Sequence, residues 1–295
     1  IKVQDTTPPA LSLPASPLVA SSISGAAIPV SYAATASDIV SGAVVPTCSP
    51  ASGSTFPRAS TTVSCTATDA AGNTASGSFQ VNVITVPSAP SSIAGVPGDG
   101  TLAISWGASA SDGGSPITGY TAYAGTGGSF PIVSTSSTGT STTNVAPGGS
   151  VVIPRTASWS MGGSYGTVTL DGATSQPLLS CALLPTAAVG ALIGSTNNGA
   201  SWFRIGSRVT VLQAPAGRLI LAANDCPANF AGHSGNANVS VYSGVSTSGL
   251  SVTMGAVNGK AYDIGVVANN AAGNSLPVTS NNCLLYTSDA ADDTP

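Results

Sequence analysis

An all-β chain of several small sandwich domains is the fold this sequence predicts, and three observations carry that prediction. Short apolar runs such as Thr101-Leu102-Ala103-Ile104-Ser105-Trp106 alternate with the period of two that a half-buried strand requires. The 35 glycines and 21 prolines recur between such runs as turn punctuation. No window repeats apolar residues at the i, i+3, i+4, i+7 spacing of an amphipathic helix.

Composition narrows the rest. The 295 residues leave room for two or three ordinary domains. Charged residues make up 6% of the chain, against about 25% in a typical soluble domain, so solubility rests on Ser, Thr, Asn and backbone. A mean hydropathy of +0.32 and the alternating runs argue against disorder. No apolar run is long enough for a membrane span. Seven basic residues scattered singly form no footprint for nucleic acid. All eleven acidic residues are Asp, and His233 is the single histidine. No HExxH occurs, and a hydrolase triad would need a serine and an acid to join the one histidine in space, so no enzyme is expected within this stretch.

Cys48, Cys65, Cys181 and Cys226 form no CxxC, and structural zinc is not expected. Cys48 and Cys65 lie in short β-type segments, and their spacing suits a bridge between neighbouring strands. Cys181 and Cys226 are expected to pair as well. Buried thiols are the alternative for all four, but the even count left when the fifth cysteine, Cys283, is set aside with the tail at 283–295 favours disulfides and an oxidising, extracytoplasmic setting.

The first unit is expected over residues 6–86. Residues 1–5 read as the end of a preceding repeat, because Ile1-Lys2-Val3-Gln4 parallels Phe79-Gln80-Val81-Asn82-Val83 before the next break. Asp69-Ala70-Ala71-Gly72-Asn73 reads as a turn that Asp opens by accepting backbone N–H groups and Gly completes with positive φ. Asp38 and Asp69 are read as turn formers, with calcium ligation as the alternative. PTCSPASGSTFP at 46–57 and TTVSCTATDAAGN at 61–73 closely resemble the HYR (hyalin repeat) family. That resemblance implies an immunoglobulin-like sandwich serving extracellular adhesion or spacing.

Residues 88–128 and 244–282 are expected to form one discontinuous domain. SDGGSPITGY at 111–120 and NGKAYDIGVVANNAAG at 258–273 resemble the two halves of a bacterial fibronectin type III domain. The resemblance implies that Trp106 is the core tryptophan and that the Tyr262 hydroxyl caps a corner. An insertion between the halves costs little if it folds with adjacent ends.

That insertion, residues 129–243, carries the candidate site. PGGSVVI at 147–153, VGALIG at 189–194 and the stretch from GRLILAAND at 217–225 to SGNANVSV at 234–241 resemble the bacterial galactophilic (PA-IL-like) lectin family. The resemblance implies a jelly-roll-like sandwich that holds calcium, which in turn chelates two sugar hydroxyls. Asp225 and Asn229 then fall on calcium-ligand positions, and Gln176 and His233 are the candidate carbohydrate-binding residues. Departures from the family pattern are Gly232 and His233 where two Asp or Asn stand, and Cys226 beside Asp225. Tyr165 is the nearest counterpart of a tyrosine ligand close to Trp159.

Residues 283–295 are expected to be an artefact. Cys283 to Asp292 resembles, residue for residue, a translated transposase-type sequencing adapter, which implies a coding sequence read from environmental DNA. Together these features predict a secreted or cell-surface bacterial protein of adhesion type, whose partners are glycans or other extracellular ligands. The alternatives are a non-binding stalk, or accessory modules of a larger secreted hydrolase.

Overall fold

The computed structural model of the chain describes all residues except 1–3, 23, 126–128, 134–139, 146–149, 162–164, 166, 175, 198, 208–209, 213–216 and 285–295. The start of the expected preceding repeat, the turn at 146–149 and most of the expected artefact tail lie outside the described residues. Strands dominate throughout, and among the described residues the one helical element is the 3-10 turn Phe230–Gly232. The architecture is all-β, a set of sandwiches, as the periodicity requires. Two compact units divide the chain.

The first unit comprises residues 1–87 with the short segments 111–116 and 270–273. Strand Ser60–Thr68 buries Val63, Cys65 and Ala67 on alternate positions, and strand Thr74–Ile84 buries Phe79, Val81 and Val83 in the same way. These strands pair antiparallel, flanked by Leu18–Ser21 in parallel and Thr47–Ser49 antiparallel. A second sheet runs Ala10–Ser12, Thr35–Asp38, Gly42–Val44. Leu11 and Leu13 from that side pack against the Phe56, Val63, Phe79 and Val81 core. Each such burial removes apolar surface worth about 1.5–3 kcal/mol per large side chain.

Cys48 and Cys65 are direct partners in the register of neighbouring strands, with Cα atoms 4.1 Å apart, and they form a disulfide. The bridge therefore staples two strands of one sheet. At the far end of the hairpin, Asp69 Oδ1 accepts the N–H groups of Ala71 and Asn73 at 2.9 and 2.8 Å, and Gly72 takes φ +92°.

The second unit comprises residues 88–110, 117–269 and 274–295. The host of the insertion joins distant segments directly. Thr101–Ser109 lies between Pro90–Gly98 and Ser251–Gly255, and Gly119–Gly125 lies between Ala261–Asn270 and the end of Ser234–Thr247. Leu102, Ile104, Trp106, Tyr120, Ile264 and Val266 form its core. The Tyr262 hydroxyl accepts the Val257 N–H at 2.8 Å, which is a corner cap. Strand Val278–Leu284 pairs with Ala261–Asn270, and Cys283 and Leu284 lie at its end before the undescribed tail.

The inserted region builds its own core around Trp159, Leu192, Leu219, Leu221 and Val239. One sheet contains Ser150–Ser160 and the first part of Ser234–Thr247; the other contains Thr140–Val145, Gly217–Ala223, Leu192–Ser195 and Phe203–Arg204. The expected boundary near residue 244 falls inside a strand. Ser234–Thr247 pairs with Ser150–Ser160 through Ser243 and with Gly119–Gly125 from Ser243 onward. A single 14-residue strand thus carries one sheet through both insert and host, which is why they form one compact unit.

Candidate functional site

Strand Gly217–Ala223 runs into Asn224 and Asp225, both buried. Asn224 organises the neighbouring loop: its amide nitrogen donates to the carbonyls of Leu184, Ala187 and Ala188 at 3.0, 2.9 and 3.3 Å, and its Oδ1 accepts the Leu184 N–H at 2.8 Å. A disulfide from Cys226 to Cys181 ties the next residue to the same loop. A turn closed by Asn229 N–H donating to Cys226 O leads through Phe230–Gly232 to His233.

The structure brings Asp225, Asn229 and His233 together. Asp225 Oδ1 accepts the Cys226 N–H at 2.6 Å and the Asn229 side-chain amide at 3.1 Å. Its Oδ2 stands 3.0 Å from His233 Nε2, with both side chains essentially out of solvent. The Phe230 ring lies 4.9 Å from the imidazole, centre to centre. A buried carboxylate held by three donors is a satisfied structural group.

This donor set does not suit a calcium ligand as it stands. A hard cation needs several oxygen ligands together, whereas Asp225 faces an N–H, an amide and an imidazole, and no group of three metal-ligating side chains forms around it among the described residues. Asn229 turns its amide donors, not its oxygen, toward Asp225, and Gly232 offers no side chain. Gln176 sits on an exposed turn whose backbone N–H donates to Ala173 O, and no hydrogen bond joins it to the Asp225 cluster among the described residues. Trp159 is wholly buried, its indole N–H donating to Gly190 O at 2.9 Å; Tyr165 packs against the same core, half-buried.

Sequence reasoning singled out Asp38 and Asp69 but missed Asp5. One carboxylate oxygen from each of the three lies within 4.8 Å of the other two. Each Asp opens a turn in a different segment, DTTPP, SDIVSG and TDAAGN, and only the fold brings those turns to one end of the sandwich.

Stapled sandwiches built from short alternating strands define an all-β protein. The HYR domain family model matches residues 4–83, which lie in the first unit. Among solved structures, the chain is similar to domains A168–A170 of titin, with 11% identity and a TM-score of 0.38 over 94% of this chain and 66% of that one. The chain thus spans just under two thirds of the titin fragment. No curated protein matches it.

Proposed function

We propose that the chain belongs to an extracellular adhesion-type protein, in which sandwich domains display the inserted region as a lectin-like module for glycans. On this reading it binds and performs no chemical step. The observation that carries the adhesion reading is the HYR match over a disulfide-stapled sandwich, because disulfides persist in oxidising, extracytoplasmic settings. No helix among the described residues is long and apolar enough to cross a membrane. The lectin reading rests on the sequence resemblance of residues 129–243, with Gln176 and His233 as sugar contacts and calcium at Asp225 and Asn229.

A second reading, a non-binding stalk, is favoured by one specific observation: the Asp225 carboxylate is already saturated by donors. A glycan array probed with the full chain, with and without chelator, decides between them. Chelator-sensitive binding of galactosides that is lost in Asp225→Asn supports the calcium-dependent lectin. Binding that ignores chelator moves the glycan site away from Asp225, and an empty array leaves the stalk.

A further inference from the structure

The Asp5, Asp38 and Asp69 triangle has the dimensions of a cation cage. Its oxygens lie within 4.8 Å of one another. Ligands on opposite sides of a calcium ion, each at about 2.3–2.6 Å, stand about 4.6–5.2 Å apart.

Two further observations point to a missing ligand. Asp38 is 8% exposed and Asp69 7%. Asp38 spends Oδ1 on the N–H groups of Val40 and Ser41, at 2.9 and 2.7 Å, while its Oδ2 is shut off from solvent with no hydrogen-bond donor in reach. Asp5 repeats the pattern: Oδ1 accepts the Thr7 N–H at 3.1 Å, and Oδ2 is buried and unpaired. Unpaired carboxylate oxygens removed from water are costly unless something positive faces them. Among the described residues no Lys, Arg or His pairs with any of the three carboxylates.

The surrounding bonds hold the three segments in place without supplying that charge. Asn73 Nδ2 bridges Asp69 Oδ2 at 2.8 Å and the Asp5 carbonyl at 3.2 Å. Ser41 Oγ accepts the Ala70 N–H at 3.2 Å, joining the Asp38 loop to the Asp69 turn. Backbone N–H groups of Ser41 and Val40 hold the Asp38 carboxyl below its ordinary range. Burial pushes the Asp69 carboxyl up, but the Asn73 amide and the backbone N–H groups outweigh it and hold it low as well. These carboxylates are therefore ionised at neutral pH.

We propose that Asp5, Asp38 and Asp69 form a divalent-cation site of the first unit, and that the ion is calcium. Hard oxygen donors and a cage of this span suit calcium, whose remaining positions are filled by carbonyls and water. Bound there, the ion neutralises the converging charges and fastens the segment that opens the domain to two loops of the sandwich. Because it binds only the folded arrangement, it stabilises that unit by mass action.

Calorimetric titration of the EDTA-stripped full chain with calcium chloride, with scanning calorimetry of the same samples, tests the proposal. The expected result is saturable binding and a calcium-dependent rise in the melting temperature. Asp38→Asn and Asp5→Asn each weaken binding at least tenfold and remove the rise, while Asp171→Asn, an exposed residue paired with Arg204, changes neither. Asn keeps the acceptor for the backbone N–H groups, and circular dichroism in EDTA confirms that each variant is folded. Asp5 is only half-buried, so Asp5→Asn reports even if Asp38→Asn does not fold. Absence of saturable binding, or wild-type binding in a folded Asp5→Asn or Asp38→Asn variant, overturns the proposal.

Discussion

Asp225 and Asp38 are both buried aspartates at the ends of strands, yet their surroundings assign them opposite roles. Asp225 has a donor for each oxygen, so removing it strands the donors. Asp225→Ala is expected to lower the stability of the second unit by about 1–3 kcal/mol, the cost of leaving buried donors unpaired, measured by denaturant unfolding at neutral pH. Asp38 and Asp69 have folded-state carboxyls held below their ordinary values. Their contribution is therefore complete above the unfolded value of about 3.9 and is lost as pH falls through the depressed folded values. Thermal melts between neutral pH and pH 2 should show the first unit weakening below about pH 4, and Asp69→Asn should flatten that slope; an unchanged slope contradicts the assignment. At this scale the sequence was partly legible. The turn chemistry of Asp69 and Gly72 could be read from TDAAGN alone, because it is local. Which acceptors remain unpaired depends on what the fold packs above them, so neither the saturation of Asp225 nor the recruitment of Asp5 could be read from spacing.

Strands and their staples were the most legible level, because period-two burial is written directly into the residues. Val63, Cys65 and Ala67, or Phe79, Val81 and Val83, face inward wherever the alternation says they should. The pairing of Cys48 with Cys65 follows from the ladder, since antiparallel neighbours Thr47–Ser49 and Ser60–Thr68 put these residues opposite each other. Replacing both cysteines by Ala is expected to cost roughly 2–4 kcal/mol under oxidising conditions. The same substitutions should have little effect when the wild type is reduced, a difference that melts with and without dithiothreitol would expose. The Tyr262 corner was legible from its motif, and Tyr262→Phe should lose about 0.5–1.5 kcal/mol through the bond to the Val257 N–H. Strand ends were less legible. Ser234–Thr247 continues past the expected boundary because its alternation does not change where its partner does.

That continuous strand governs how the second unit behaves as a whole. A sequence reading divides host and insert at the point where family resemblance changes, but backbone hydrogen bonds follow the ladder. Ser243 marks the handover, paired with Ser150 on one side and Ala124 on the other. The two cores, one around Ile104 and Ile264 and the other around Trp159 and Leu221, are therefore linked by a strand that neither can release alone. A disturbance on the host side of the handover should accordingly reach the insert. Gly265 provides the means: on the face of Ala261–Asn270 turned away from Ile264 and Val266, a Cβ there would lie 2.2 Å from the buried Tyr123 ring, which packs on Tyr242 of the shared strand. Gly265→Ala overpacks the contact between Tyr123 and Tyr242 at a cost of about 1–3 kcal/mol. Native-state hydrogen exchange should then show protection falling in Ala261–Asn270 and Gly119–Gly125, and equally in Ser234–Thr247 and Ser150–Ser160 across the handover. Loss limited to the first pair of strands would mean that the ladder parts at Ser243 and that host and insert open separately, as two domains would.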